Sequence, residues 1–255
     1  MAGQVATDQA ERLAELIRES ECTVALTGAG ISVPSGIPDF RTPGKGIWEK
    51  VDPMEVAHID AFERDPTRFW GFYRQRLQML GHKEPNGAHE VLAKLERRGL
   101  LEAVITQNID TLHGKAGSDR VIEVHGSIRT ASCRLCAAEY RREDVEALFG
   151  DSGAAICRQC GGHVKPDVVL FGELLPAEAM AEAESLAGRA ELMLCVGSSL
   201  EVYPVAGLPS VTMRRGGRIA VITMGPTPFD ADAEVRMDGD VVADLEAVLG
   251  ALEAK

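Results

Sequence analysis

Apolar and polar positions along this chain switch repeatedly between a helical and a strand period. Leu13, Leu16 and Ile17 recur at helical spacing behind Thr7 or Asp8, either of which can cap a first helix. Residues 22–27 then form a short β-branched run that stops at a glycine, and comparable runs return at 102–106, 121–124, 168–171, 192–196 and 218–223. Amphipathic stretches at 66–80, 86–97 and 176–189 fill gaps between them, and another at 240–252 closes the chain. Strands alternating with helices predict an α/β fold with a parallel sheet, because a parallel neighbour needs a crossover long enough to hold a helix. Residues 129–164 break the rhythm with two cysteine pairs, a short charged helix near 143–149 and a cluster of glycines, so they read as an inserted module.

Composition narrows the partners. With 255 residues, 45% of them hydrophobic, the chain can bury the core of one large domain and carry an insertion. A net charge of −12, with no long run of Lys or Arg, argues against nucleic acid as a partner. Residues 1–8 lack the basic and apolar regions of a signal peptide, and no run of about 18 apolar residues occurs, so a cytoplasmic protein without a membrane partner is expected. Cys22 and Cys195 lie in apolar, strand-like runs where a buried, reduced thiol is expected.

The remaining cysteines carry the sharpest signal. Cys133 with Cys136, and Cys157 with Cys160, form two CxxC turns that together supply the four sulfurs of a structural zinc ion. A site filled by four protein ligands leaves no open position for water, so the metal should hold a module together and the chemistry should lie elsewhere. His163 is redundant beside such a cage.

Leu26-Thr27-Gly28-Ala29-Gly30-Ile31-Ser32 is a strand entering a glycine turn, where missing side chains would let backbone N–H groups approach a pyrophosphate. Val33 stands where the third glycine of a dinucleotide fingerprint would fall, so a plain βα turn is the other reading. Further along come Gly36-Ile37-Pro38-Asp39-Phe40-Arg41, Thr106-Gln107-Asn108-Ile109-Asp110, His125-Gly126, the segment 165–173 (KPDVVLFGE) and the segment 197–204 (GSSLEVYP). In this order, with the cysteine pairs between them, these motifs closely resemble the sirtuin family of NAD-dependent protein deacylases over about residues 22–241.

The resemblance implies a Rossmann-like NAD-binding domain from residues 1–42, 86–128 and 165–255, a cofactor loop and helical insertion at 43–85, and a zinc-binding module at 129–164. It implies NAD as co-substrate, one structural Zn2+ and acyl-lysine proteins as partners; a monomer is the default expectation. In sirtuins, nicotinamide leaves NAD, the acyl oxygen attacks the ribose, and a ribose hydroxyl activated by a base then attacks the imidate carbon. His125 matches that base, and imidazole suits the role because its ordinary pKa lies close to working pH. Asn108 and Asp110 match residues that orient the ribose and the carboxamide, with Gln107 and Ile109 in the same loop; helix capping is their structural alternative. Cofactor contacts are further implied for Gly28, Ala29, Gly30, Ser32, Asp39, Phe40, Arg41, Gly197, Ser198, Ser199, Thr223, Met224, Gly225 and Val241. Trp48 is the candidate anchor of the cofactor loop, a surface-packing aromatic being the other reading. Thr223 departs from the Asn that sirtuins commonly carry, which removes hydrogen-bonding capacity. His58, His82, His89 and His113 have no such match and are expected to be structural or exposed.

Substrate backbone should add as a strand between 168–172, including Val169, Phe171 and Gly172, and 200–203. Tyr73 and Arg76, three apart on a predicted helix, share one face and resemble the pair of sirtuins that remove succinyl and malonyl groups. An arginine grips a carboxylate with two parallel bonds, which would favour an acyl chain ending in negative charge alongside acetyl. Asp39, uncharged in some desuccinylases, keeps a deacetylase-only reading open, and mono-ADP-ribosyl transfer could use the same NAD site.

Overall fold

The computed structural model describes residues 2–39, 51–151 and 153–254. Strands β1 (Thr23–Thr27), β2 (Ala103–Thr106), β3 (Val121–Glu123), β7 (Leu192–Val196), β8 (Arg218–Ile222) and β9 (Val235–Met237) form a six-stranded sheet in the order β3-β2-β1-β7-β8-β9. Every pairing in it is parallel. Successive strand residues face opposite sides, and each side is covered. Ala25, Val104, Leu194 and Ala220 meet the apolar stripes of α1 (Ala2–Glu19), α5 (Gly87–Arg97) and α10 (Val241–Glu253), whereas Leu26, Ile105, Cys195 and Val221 meet α8 (Ala177–Arg189) and α9 (Leu208–Arg214). Burial on both faces explains why these strands read as continuous apolar runs.

Helix α1 starts before the expected cap. Neither Thr7 nor Asp8 ends it, because no proline or glycine pair between Ala2 and Thr7 interrupts helical geometry. Other boundaries follow local chemistry: Asn86 accepts from the Ala88 N–H at the start of α5, and Asp240 accepts from the Val242 and Ala243 N–H groups at the start of α10.

The expected strand at 168–171 is a correction. The strand there is β6 (Val164–Val168), and it belongs to a separate antiparallel sheet of order β5-β4-β6, with β4 (Gly126–Cys133) and β5 (Glu139–Arg141). Its polar start, Lys165-Pro166-Asp167, hides it, and residues 169–171 lie beyond the strand, with N–H groups bonded to the His125 carbonyl, the Glu173 carboxylate and the Ala57 carbonyl.

Helices α2 (Pro53–Val56), α3 (Ile59–Arg64) and α4 (Pro66–Gly81) precede α5; α6 (Leu112–Lys115) and α7 (Arg142–Val145) complete the set. Helices α3 and α4 and the cysteine-bearing sheet share one core. Phe62, Phe69 and Trp70 pack with Ile128, Ala131, Val145, Leu148 and Val164, and Trp70 donates its indole N–H to the Val164 carbonyl at 3.0 Å. Phe69 meets Phe62 and Trp70 edge-on, geometry that adds about 0.5–1.5 kcal/mol per pair beyond burial.

Candidate active site

The strand order reverses between β1 and β7, and ligands of open α/β sheets collect at such a switch point, beyond the C-terminal strand ends. The loops leaving these two strands interlock. Gly28 donates its N–H to the Val196 carbonyl at 3.1 Å, and Gly30 donates to the Gly197 carbonyl at 2.8 Å. A Cβ on Gly30 would stand 2.7 Å from the Gly197 oxygen, and one on Gly28 would stand 2.9 Å from it. Gly197 itself has φ +61°, and a side chain there would overlap the Ile31 amide. These glycines therefore let two loops touch, and the Gly28 and Gly30 N–H groups are engaged in that contact.

A buried polar network lies beneath the turn. Ser32 donates its hydroxyl to Asp110 Oδ2 at 2.7 Å and accepts from Asn108 Nδ2 at 3.1 Å. Asn108 Nδ2 also donates to the Gly28 carbonyl at 3.1 Å. With both amide hydrogens committed, Asn108 has only its carbonyl oxygen left to offer a ligand. Asp110 accepts from the Leu112 N–H at 3.0 Å, and burial pushes its carboxyl above the usual range although the Leu112 and Ser32 bonds oppose that shift. Asn108 and Asp110 thus present acceptors suited to hydroxyl and amide hydrogens.

His125 stands at the end of β3 and the start of β4. Its Nδ1 lies 3.1 Å from the Gln107 carbonyl oxygen, and its own carbonyl accepts from the Val169 N–H at 2.8 Å. Burial lowers the imidazole pKa from its ordinary value, with the Gln107 bond opposing that shift. Gln107 in turn donates to Ser198 Oγ at 2.9 Å, joining the third strand-end loop to the second. Ser198 and Thr223 are buried at the ends of β7 and β8, Ser199 is half-buried, and Met224 and Gly225 are exposed. Val241 opens α10 and is buried. Ala29 is half-buried in the glycine turn, Ile109 and Asp39 are half-buried, and Phe40, Arg41 and Trp48 lie outside the described residues.

The four cysteine sulfurs lie within 4.8 Å of one another. Cys133 and Cys160 are 3.5 Å apart and Cys136 and Cys157 3.6 Å, close to the roughly 3.8 Å edge of a tetrahedron with zinc–sulfur bonds of about 2.3 Å. Leu135, Gln159 and Gly162 aim backbone N–H groups at Cys133, Cys157 and Cys160. The Tyr140 hydroxyl, 3.1 Å from Cys157 Sγ, is the main cause holding that thiol down at about 6. Donors around sulfur favour thiolates, so the cluster fits zinc.

Tyr73 and Arg76 project from α4 as the helical spacing predicts. Tyr73 is buried, stacked on Phe69 with ring centroids 4.3 Å apart, and its hydroxyl is pushed up to about 12 by burial, with Arg76 lowering it and Glu173 raising it. Arg76 is half-buried, and burial lowers its pKa. In the segment beyond β6, Phe171 donates its N–H to Ala57 and accepts from Ile59, while Gly172 has φ +85° with His58 beside it.

The sequence pattern that defines the Sir2 family matches residues 28–204. The chain belongs to the Sir2 family. It is 47% identical over 228 residues to an NAD-dependent protein deacetylase of Thermotoga maritima, covering 89% of this chain and 92% of that one. It is 43% identical over 233 residues to NAD-dependent protein deacylase 2 of Archaeoglobus fulgidus, covering 91% of each. Among solved structures, a Sir2 complex with a deacetylated p53 peptide and 3′-O-acetyl ADP-ribose superposes with a TM-score of 0.90 at 45% identity, covering 94% of this chain and 96% of that one. A Sir2 protein bound to a propionylated peptide gives 0.87 at 43% identity, covering 94% and 98%.

Two site features of this Sir2 chain escape motif reading. His89 and His113, expected only to be structural or exposed, are buried with ring centroids 4.8 Å apart. His89 Nε2 lies 3.4 Å from Ser32 Oγ, and His113 Nε2 lies 2.9 Å from Thr27 Oγ1, so both support the polar network from below. Lys165, in the small sheet, is buried and ion-paired to Glu173 at 2.9 Å. Within the polar run Lys165-Pro166-Asp167 nothing in the sequence marks this lysine as buried. Among the described residues no helix is long and apolar enough to cross a membrane.

Proposed function

We propose that this Sir2 protein is an NAD-dependent protein-lysine deacylase that yields nicotinamide, free lysine and O-acyl-ADP-ribose. The observation that carries the reading is the convergence of His125, Asn108, Asp110 and the paired glycine loops at neighbouring strand ends, in a chain with close relatives named for that activity. Bound NAD supplies the activated ribose carbon that receives the acyl oxygen. Asn108 orients a ribose hydroxyl through its free carbonyl oxygen, and Asp110 accepts from the carboxamide. His125 is the general base: its Nδ1–H is donated to Gln107, so a neutral ring keeps its lone pair on Nε2. Residues of the strand-end loops, among them Ala29, Ser198, Ser199, Thr223, Met224, Gly225 and Val241, hold the rest of the nucleotide.

For the acyl group, we propose that Tyr73 and Arg76 bind a terminal carboxylate, so that succinyl and malonyl lysines are substrates together with acetyl. A partly desolvated guanidinium beside a buried tyrosine hydroxyl supports this, because charge pairing strengthens as water is excluded. Val169, Phe171 and Gly172 form one wall of the peptide cleft. The zinc module stays structural, the protein acts as a monomer, and its free cysteines support a reducing cytoplasm as its location. Acetyl-, malonyl- and succinyl-lysine peptides incubated with the protein, with and without NAD, and read by mass spectrometry test the proposal. Absence of NAD-dependent acyl loss on every peptide overturns it, and loss of acetyl alone overturns only the acidic-acyl part.

A further inference from the structure

We infer that Lys165 is a positioning residue that sets the shape of the peptide-binding segment. The inference rests on the proposed role of residues 169–172 as the cleft wall. An ammonium has three hydrogens, and Lys165 has three acceptors: the Val168 carbonyl at 2.7 Å, the Pro166 carbonyl at 3.0 Å and Glu173 Oε2 at 2.9 Å. The chain from 166 to 173 is therefore wrapped around one buried charge.

Glu173 closes the wrap from the other end. The same Oε2 accepts from the Leu170 N–H at 3.0 Å, and the Glu173 N–H returns to the Leu170 carbonyl at 3.0 Å. Its second oxygen lies 3.7 Å from Arg134, within the first CxxC turn. Between these clamped points Val169 bonds to the His125 carbonyl and Phe171 to Ala57 and Ile59. Lys165 thus fixes both ends of a segment that touches the proposed base at one residue and the helical insertion at another.

A side chain that merely fills the core would affect stability without choosing between substrates. A clamp on the cleft wall acts on peptide binding and, through the Val169 bond to the His125 carbonyl, on the base, but not on NAD binding, because none of its bonds reaches the glycine loops or Asn108. Lys165→Met, assayed on an acetyl-lysine peptide with the full-length zinc-loaded protein, should raise the Michaelis constant for peptide at least ten-fold. The constant for NAD should stay within two-fold, and Lys165→Arg should recover most of the loss. A wild-type peptide constant, or equal rises for peptide and NAD, overturns the inference. Should Lys165→Met fail to fold, Glu173→Gln breaks the charge pair but keeps an acceptor. A several-fold rise confined to peptide is then expected, and no rise overturns the clamp. Inactivity of the wild-type protein on every acyl peptide would instead strike the deacylase reading.

Discussion

The Gln107 carbonyl fixes which nitrogen of His125 is basic. A carbonyl oxygen can only accept, so Nδ1 holds the proton at 3.1 Å and Nε2 holds the lone pair of the neutral ring. Burial lowers the His125 pKa, so the basic form is already dominant at neutral pH. The acid limb of kcat/KM should therefore have its midpoint below the ordinary histidine value, and a midpoint above it would contradict the assignment. His125→Ala should lower turnover by about 10²- to 10⁴-fold with zinc content retained, checked by steady-state assay and metal analysis.

Acid should destabilise the fold through the buried histidine pair. Burial holds His113 at about 3 and His89 at about 4. The unfolded chain takes up these protons near the ordinary value of about 6.5 and the native chain does not, so stability is full above that pH and falls below it until the native groups also titrate. At pH 5 the loss from His113 is about 2 kcal/mol. Urea midpoints at pH 7 and pH 5 measure it. His113→Gln should flatten the dependence; an equal slope in that variant would remove His113 as its source.

Charge recognition in the acyl pocket is separable from turnover. Arg76→Ala should cut kcat/KM for succinyl-lysine by roughly ten- to a hundred-fold, in line with about 1.5–3 kcal/mol for a charged hydrogen bond. Acetyl-lysine activity should change far less. Equal loss on both peptides would assign Arg76 to the fold of α4 instead.

The cysteine cluster holds a core in place. Cys133 and Cys157 are buried among the same residues that bury Phe69 and Trp70. Cys157→Ala should bring bound zinc well below one per chain and weaken the near-ultraviolet signal of those aromatics, with activity falling as a consequence. Retained zinc with a wild-type spectrum would show that three sulfurs suffice.

Much of this architecture could be read from the chain because strands buried on both faces leave uninterrupted apolar runs, as in residues 192–196. Some short or polar strands did not announce themselves. β9 has only three residues, and β6 carries Lys165, Pro166 and Asp167, a composition that suggests a loop. The site was legible as separate motifs, since glycines, Asn108, Asp110 and His125 each sit just past a strand. What no motif could reveal is contact across the chain: Ser32 meets Asp110 at a separation of 78 residues, and Thr27 meets His113 at 86. Those bonds exist only after the parallel sheet brings distant strand ends together.

The seam between Gly30 and Gly197 has a consequence for anyone who would alter nucleotide preference. Because each loop occupies the space a side chain on the other would need, neither can be exchanged alone. A loop borrowed from another protein would have to arrive with its partner, and libraries that randomise one of the two turns would discard most of their members as misfolded before any cofactor was tried.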